Sequence, residues 1–268
     1  MYSPTRTKEI SLTETGIRYQ KVTSDPRPRS EPQLREEIIE VCHLMWQKGY
    51  VASTDGNVSA RLGKDRFLCT PSGFSKGLVR ADQLVVVDWE ANPVGPAYGA
   101  TRDLLPSSEM LTHLEAYRQR PDVQAVVHAH PPTAVALSIA GISLARCLLP
   151  EVVLALCMIP TTEYATPSSS DGAAVIRELI TRYDAMVLQR HGSLTVGRSA
   201  VDAYLKLEKV EATAVITKTL VNLGKDRPLP PEEVEKLVAW RQAQGLMKPG
   251  QAEDLCTECG VCNLPTQR

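Results

Sequence analysis

Two hydrophobic periods alternate along this chain of 268 residues, one near 3.6 and one near 2. Between residues 33 and 49, Leu34, Ile38, Val41, Leu44 and Met45 recur at helical spacing, and Gly49 supplies a stop. The period then shortens. Residues 58–62, 67–70 and 84–89 read as short strands punctuated by turns containing glycine and proline. Leu105-Pro106-Ser107-Ser108 predicts a helix start, with a serine as cap and Glu109 in the first turn. Leu111, Leu114 and Tyr117 give that helix its inward face, and it should end near Pro121. Residues 124–129 form an apolar strand that runs into His128-Ala129-His130, and residues 133–140 predict a helix. Residues 152–159 fit a helix or a strand by periodicity alone. Further on, 171–183 predicts an amphipathic helix, 185–188 and 194–196 strands flanking His191, and 201–223 and 231–244 two more helices. There is no internal repeat, and helices alternate with short strands throughout, which points to one layered α/β domain.

That pattern divides the chain into three stretches. Residues 1–30 are polar, carry prolines at 4, 26 and 28, and read as a flexible arm or a segment that orders against a neighbour. Residues 31–248 carry the domain, and 249–268 form a cysteine-containing tail. Composition adds mainly exclusions. A net charge of -1 does not supply the basic surface that a general nucleic-acid or anionic-membrane binder needs. No apolar run approaches a bilayer span, and the first thirty residues lack the apolar core of a secretory signal, so a cytoplasmic location is expected.

Candidate chemistry centres on His128-Ala129-His130. Residues two apart on a strand face the same way, so both imidazoles emerge together and can share one metal with a third ligand from elsewhere. Among five histidines, His191 is the best third candidate, because it sits between a strand and a turn in Gln189-Arg190-His191-Gly192. A lone His-x-His pair on a strand is more often structural or incidental than metal-binding. Glu109 could ligate the same ion or move a proton beside it, although a glutamate at a helix start can also serve only the helix dipole. His113, four residues on, shares its helix face and reads as packing more than chemistry. Three small polar segments, Asp55-Gly56-Asn57-Val58-Ser59, Thr70-Pro71-Ser72-Gly73 and Ser107-Ser108, offer donors that can converge on an anion. No Walker loop or dinucleotide fingerprint is present, so nucleotide binding has no support.

Taken in order, Gly56-Asn57-Val58-Ser59-Ala60-Arg61, Thr70-Pro71-Ser72-Gly73, Ser107-Ser108-Glu109, His128-Ala129-His130 and His191-Gly192 resemble the class II aldolase/adducin-domain family, in its fuculose-phosphate aldolase branch. The resemblance implies a three-layer α/β/α sandwich around a mostly antiparallel sheet, assembled as a homotetramer with interfacial active sites. It implies zinc on His128, His130 and His191, with cobalt, manganese, nickel or iron(II) as other options for imidazole ligands. Glu109 would approach the metal and carry the proton, while Asn57, Ser72, Gly73, Ser107 and Ser108 would hold a substrate phosphate and Gly56 would support the turn. The implied reaction is cleavage of a ketose 1-phosphate to dihydroxyacetone phosphate and an aldehyde through a metal-stabilised enediolate. A decarboxylase or a pentulose-phosphate 4-epimerase would use the same scaffold, and an adducin-like interaction module would share only the fold. One departure stands out. The tyrosine that protonates the departing alkoxide in the family falls in Leu148-Leu149-Pro150-Glu151, which has none, and Glu151, Tyr164 and Tyr204 are the candidates to replace it.

Seven cysteines remain to be placed. Cys42, Cys69, Cys147 and Cys157 lie in apolar surroundings and read as small buried hydrophobes, while the other three cluster in the tail; that arrangement is no extracellular disulfide framework, so a reducing compartment fits. Cys256, Cys259 and Cys262 form a CxxCxxC cluster that could bind zinc, iron–sulfur or copper(I), but the set lacks a fourth ligand unless His43, His113 or another subunit supplies it. The other reading is a disordered tail with exposed thiols.

Overall fold

The structure is a computed structural model, and it describes residues 8–10, 19–21, 29–95, 103–225 and 227–260. Two short strands, β1 (Lys8–Ile10) and β2 (Tyr19–Lys21), pair antiparallel within the stretch expected to be an arm. The rest of residues 1–28 lies outside the described residues, and most of that expectation with it.

Helix α1 (Glu31–Gln47) opens at Ser30, whose N–H donates to the Gln33 side chain at 2.9 Å, and Pro32 sits in its first turn, where no amide is needed. A six-stranded sheet follows in the order β5-β4-β3-β6-β8-β7, built from β3 (Asn57–Arg61), β4 (Phe67–Cys69), β5 (Val85–Val87), β6 (Ala125–Ala129), β7 (Ala185–Leu188) and β8 (Gly192–Gly197). Every pairing between these strands is antiparallel. The period-2 pattern sorts the side chains by face. Val58, Ala60, Ala125, Val127 and Ala129 pack under α1 and α7 (Ala200–Leu223), whereas Val126, Leu194 and Val196 pack against α2 (Met110–Gln119) and α6 (Arg177–Arg182). His128 shares the parity of Val126 and therefore faces the α2 side. Helices α3 (Pro132–Ile139) and α4 (Pro150–Leu156) close a third core with α7 and β7, and the stretch that periodicity left open at 152–159 is helical through Leu156. The expected three-layer sandwich is the observed one.

Two elements differ from expectation. On α2 the inward stripe is Met110, His113, Leu114 and Tyr117, while Leu111 is 39% exposed. The helical spacing is intact, but one position of the stripe is a histidine, so counting only apolar residues turns the helix the wrong way. The helix expected at 171–183 is two, α5 (Ser170–Ala174) and α6, with the ladder broken at Val175-Ile176. Adjacent β-branched residues weaken a helix, and here burial of Ile176 and Ile180 in the core takes precedence.

Beyond the sheet, α8 (Pro231–Ala243) and α9 (Gln251–Cys259) pack through Val234, Val238 and Leu255 onto a fourth core containing Val153, Met158 and Tyr183. Cys147 belongs to that core and is buried as expected, but it is not a free thiol. It is bonded to Cys259, 112 residues away. The reading of Cys147 as no more than a small buried hydrophobe is therefore corrected. The cause is tertiary: α9 docks its last turn beside the segment leading into α4. Among the described residues, no helix is long and apolar enough to cross a membrane.

Candidate metal centre

Sheet register assembles the centre. Strand β6 pairs Asn57 of β3 opposite His128, and β6 also pairs with β8, Ala129 opposite Ser193. The turn that joins β7 to β8 thus sits beside the end of β6 and carries His191. Two glycines make the approach possible. A Cβ on Gly192 would lie 2.3 Å from the Ala129 carbonyl oxygen and 2.9 Å from ring carbons of both His128 and His130. Gly56 holds φ +72°, and a Cβ there would meet the His128 carbonyl oxygen at 2.9 Å. Glu109 comes from the opposite layer. It is the N-cap of α2 and not a first-turn residue, and its side chain makes no cap hydrogen bond, which leaves the carboxylate to point at the imidazoles.

Glu109, His128, His130 and His191 each bring a ligand atom within 4.8 Å of the others. His128 Nε2 lies 3.0 Å from Glu109 Oε2 and 3.0 Å from His130 Nε2, and His191 Nε2 lies 3.2 Å from Glu109 Oε1. The outer contacts orient the rings. His128 Nδ1 meets the Ser193 carbonyl at 2.9 Å, and a carbonyl only accepts, so that nitrogen carries the proton and Nε2 presents a lone pair. His130 Nδ1 lies 3.4 Å from the Asp55 carboxylate. Asn57 Nδ2 donates to Glu109 Oε2 at 3.1 Å.

Several acceptors thus face one small volume, which is electrically incomplete without a proton or a cation. The titration directions say the same. Burial alone would raise the Glu109 carboxyl, but the His128 and His191 imidazoles hold it well below the usual carboxylate range. Burial opposes charge on His128, yet Glu109 outweighs it and moves that imidazole up. His130 is pushed down to about 4 by burial and by its two histidine neighbours. Three imidazoles and a carboxylate form a donor set that fits a divalent ion of the zinc type.

Beside this cluster lies an open cavity of about 260 Å³. All six residues expected at an anion site, Gly56, Asn57, Ser72, Gly73, Ser107 and Ser108, line it together with Glu109, His130 and His191. The turns meet because the Ser72 N–H donates to the Leu105 carbonyl at 2.9 Å and the Ser107 N–H to the Thr70 carbonyl at 3.2 Å. Lys76 lines the same cavity, and sequence reasoning missed it. It is 1% exposed, its ammonium donates to the Thr54 and Phe74 carbonyls, and burial lowers its pKa. A single lysine in a Gly/Ser turn has no spacing that marks it.

A second, smaller cavity of about 20 Å³ lies behind Glu109, large enough for one water, and Thr162, Ser168 and His113 line it with Glu109, His128 and His191. His113 packs, as expected, but it is also wired. Its Nδ1 meets Ser59 Oγ at 2.7 Å, Ser59 Oγ meets the Tyr117 hydroxyl at 2.9 Å, and its Nε2 is buried with no partner. Burial, and then the nearby His128, push His113 down to about 3, so it is neutral. None of the three candidates for the missing tyrosine lines either cavity. Tyr204 is in the core under α1 with its hydroxyl donating to Glu208 at 2.6 Å, Glu151 is exposed in the first turn of α4, and Tyr164 is exposed next to Glu163.

Residues 36–217 match the model of the Class II Aldolase and Adducin N-terminal domain. The chain is 30% identical to an L-fuculose phosphate aldolase of Methanococcus vannielii over 191 residues, 71% of this chain and 98% of that protein. It is 31% identical to a 3-oxo-tetronate 4-phosphate decarboxylase of Escherichia coli K12 over 207 residues, covering 74% and 91% of the two. Among solved structures, the Klebsiella pneumoniae protein YgbL superposes with a TM-score of 0.71 at 30% identity, covering 78% of this chain and all of that one. An L-fuculose 1-phosphate aldolase superposes with a TM-score of 0.70 at 27% identity, covering 78% and 96%.

Proposed function

This chain belongs to the class II aldolase and adducin family and is a lyase of that family, and we propose that it cleaves a ketose 1-phosphate to dihydroxyacetone phosphate and an aldehyde. The observation that carries the reading is the sharing of one cleft by the Glu109/His128/His130/His191 cluster and the anion cavity. His128, His130 and His191 would hold the divalent ion, zinc by preference, with Glu109 approaching it. Such an ion supplies Lewis acidity toward two adjacent substrate oxygens.

The chain's own groups supply the rest. Glu109, kept ionised, exchanges the proton at the carbon next to the substrate carbonyl. The Ser72, Ser107 and Ser108 hydroxyls and amides, with Asn57 and Gly73, anchor the phosphate, and Gly56 keeps its turn clear of β6. Lys76 adds a cation to that anchor. A homotetramer with sites shared between subunits, in the cytoplasm, completes the reading.

A second reaction has specific support. Loss of carbon dioxide from a phosphorylated 3-oxo acid leaves the same kind of enediolate but releases no alkoxide to protonate. The absence of tyrosine at Leu148-Leu149-Pro150-Glu151 is neutral for that reaction and costly for an aldol cleavage. Steady-state turnover on a panel of ketose 1-phosphates and phosphorylated 3-oxo acids separates the two. Dihydroxyacetone phosphate together with an aldehyde from a ketose 1-phosphate supports the aldolase; carbon dioxide from the oxo acids, with no cleavage of any ketose 1-phosphate, transfers the assignment to a decarboxylase. A pentulose phosphate converted without cleavage would make the chain a 4-epimerase. No turnover together with near-zero metal would leave an adducin-like binding module.

A further inference from the structure

The chemistry proposed above makes no use of the carboxylate of Glu211, which is buried all the same. It lies on the inner face of α7 between Val210 and Ala214 and is 8% exposed. Both of its oxygens are engaged. Oε1 accepts from the Thr133 N–H at 2.9 Å and Oε2 from the Ala134 N–H at 3.0 Å. Those amides belong to the first turn of α3, where a helix has no acceptors of its own. The residue in the cap position, Pro131, has no side-chain oxygen to offer them. Glu211 therefore caps α3 from a different helix. Two charge-assisted hydrogen bonds and the positive end of α3 offset the burial of its charge.

The segment beside that cap carries a member of the His/Glu cluster. Strand β6 ends at Ala129, so His130 lies one residue past the ladder that fixes His128. Two prolines follow it. Each ring locks its own φ and restricts the residue before it, so His130, Pro131 and Pro132 have little rotational freedom among them. They form a short stiff arm, with the capped turn at one end and the imidazole at the other. The ring itself is loosely held on its outer side, where Nδ1 lies 3.4 Å from the partly exposed Asp55 carboxylate. His128 Nδ1, by contrast, meets the Ser193 carbonyl at 2.9 Å within the sheet. His130 thus depends on the placement of its backbone more than His128 does. Its N–H, donated to the Tyr50 carbonyl at 2.9 Å, anchors one side, and the arm anchors the other.

We propose that Glu211 is a positioning residue for His130: by clamping the first turn of α3 to α7, it sets where that imidazole sits and so tunes the metal affinity of the centre from outside it. The inference rests on the reading of His130 as a metal ligand. Glu211 lines neither cavity and is no member of the cluster, so it acts through the arm alone. Outer groups that orient metal-bound histidines carry a measurable share of the affinity.

The test is the zinc affinity of the full chain, measured by competition with a chromophoric chelator, with cobalt(II) d–d bands reporting ligand geometry. Glu211→Gln keeps the shape but turns an N–H toward one of the two amides. It is expected to weaken zinc binding about 10- to 100-fold and to shift the cobalt bands, with far-ultraviolet circular dichroism unchanged. Glu211→Asp keeps the charge but is one methylene short of reaching both amides, and should fall between Glu211→Gln and the wild type. Asp184→Asn removes a carboxylate paired with Arg120, Lys206 and Lys248, away from the cluster, and should leave zinc affinity unchanged. The decisive arm is the cycle with His130→Ala. If Glu211 acts through His130, Glu211→Gln adds little to the loss that His130→Ala already causes. Wild-type affinity in Glu211→Gln, equal weakening by Asp184→Asn, or losses that add in the double variant overturn the proposal. A wild-type chain that binds no zinc, or a His130→Ala chain that binds it as well as wild type does, removes instead the metal-centre reading, and this inference with it.

Discussion

Two groups of side chains, the His/Glu cluster and the cysteine corner closed by Cys147–Cys259, are brought together by opposite means. The His/Glu cluster hangs on sheet register: β3, β6 and β8 fix three of its contributors relative to one another through backbone ladders, and α2 adds Glu109 from the layer above. The cysteine corner hangs on the docking of one short helix against a loop, with side-chain hydrogen bonds in place of ladders. The first holds its geometry wherever the sheet is folded, which suits atoms that must meet within 3 Å. The second can form only after α8 and α9 have docked. That difference predicts which perturbations cross from one cluster to the other.

Removing a ligand from the sheet-built cluster should have the largest effect. His128→Ala is expected to lower kcat/KM by more than about 10³-fold and to lose one metal equivalent, with the thermal midpoint moved only a little. Metal analysis beside calorimetry checks it, and normal activity would remove the cluster from the reaction. Glu109→Gln comes next. With three imidazoles left, metal should be retained while kcat falls by about 10²- to 10⁴-fold, and a fall in metal content to the level of His128→Ala would make Glu109 a ligand first and a proton carrier second.

Gly192→Ala tests the register itself. Its Cβ would meet the Ala129 carbonyl at 2.3 Å, so stability should drop by about 1–3 kcal/mol and metal affinity with it, while the Cys147–Cys259 disulfide persists. Urea unfolding and cobalt titration read the two effects separately. The smallest effect concerns the link between the regions. Asp184, beside β7, pairs with Arg120 at 3.1 Å, Lys206 at 3.2 Å and Lys248 at 2.8 Å, the last of these just ahead of α9. Burial would raise its carboxyl, but Lys206, Lys248 and Arg120 together hold it well below the usual range. A carboxyl whose pKa is depressed in the folded state stabilises above its unfolded pKa and loses that contribution as pH falls through the folded one. Asp184→Asn should therefore cost about 2 kcal/mol near pH 7, a gap that closes progressively below about pH 4. A gap constant across that range would mean the pairs carry no net stability.

The same contrast explains what could be read from the chain. Helices and strands of the sandwich followed their periods, and the His-x-His pair, Glu109 and His191 stood in motifs whose order carried the resemblance. Each of those signals is local. Lys76 was invisible because its partner carbonyl, that of Thr54, belongs to a different turn 22 residues earlier. His113 was half visible: its helix face was right, but the bond to Ser59 depends on β3 lying beneath α2. Cys147 was misjudged for the same reason at greater distance, because burial looks alike for a free thiol and for one that meets a helix 112 residues on.

The Cys147–Cys259 link also gives the chain a topology. It turns residues 147–259 into a ring that contains His191 and excludes Glu109, His128 and His130. The His/Glu cluster then straddles ring and tail, and an ion held there would be a second link across the same loop. Pulled from its two ends, the linked molecule would withhold about 112 residues from extension, roughly 390 Å of contour length that only a reductant would release.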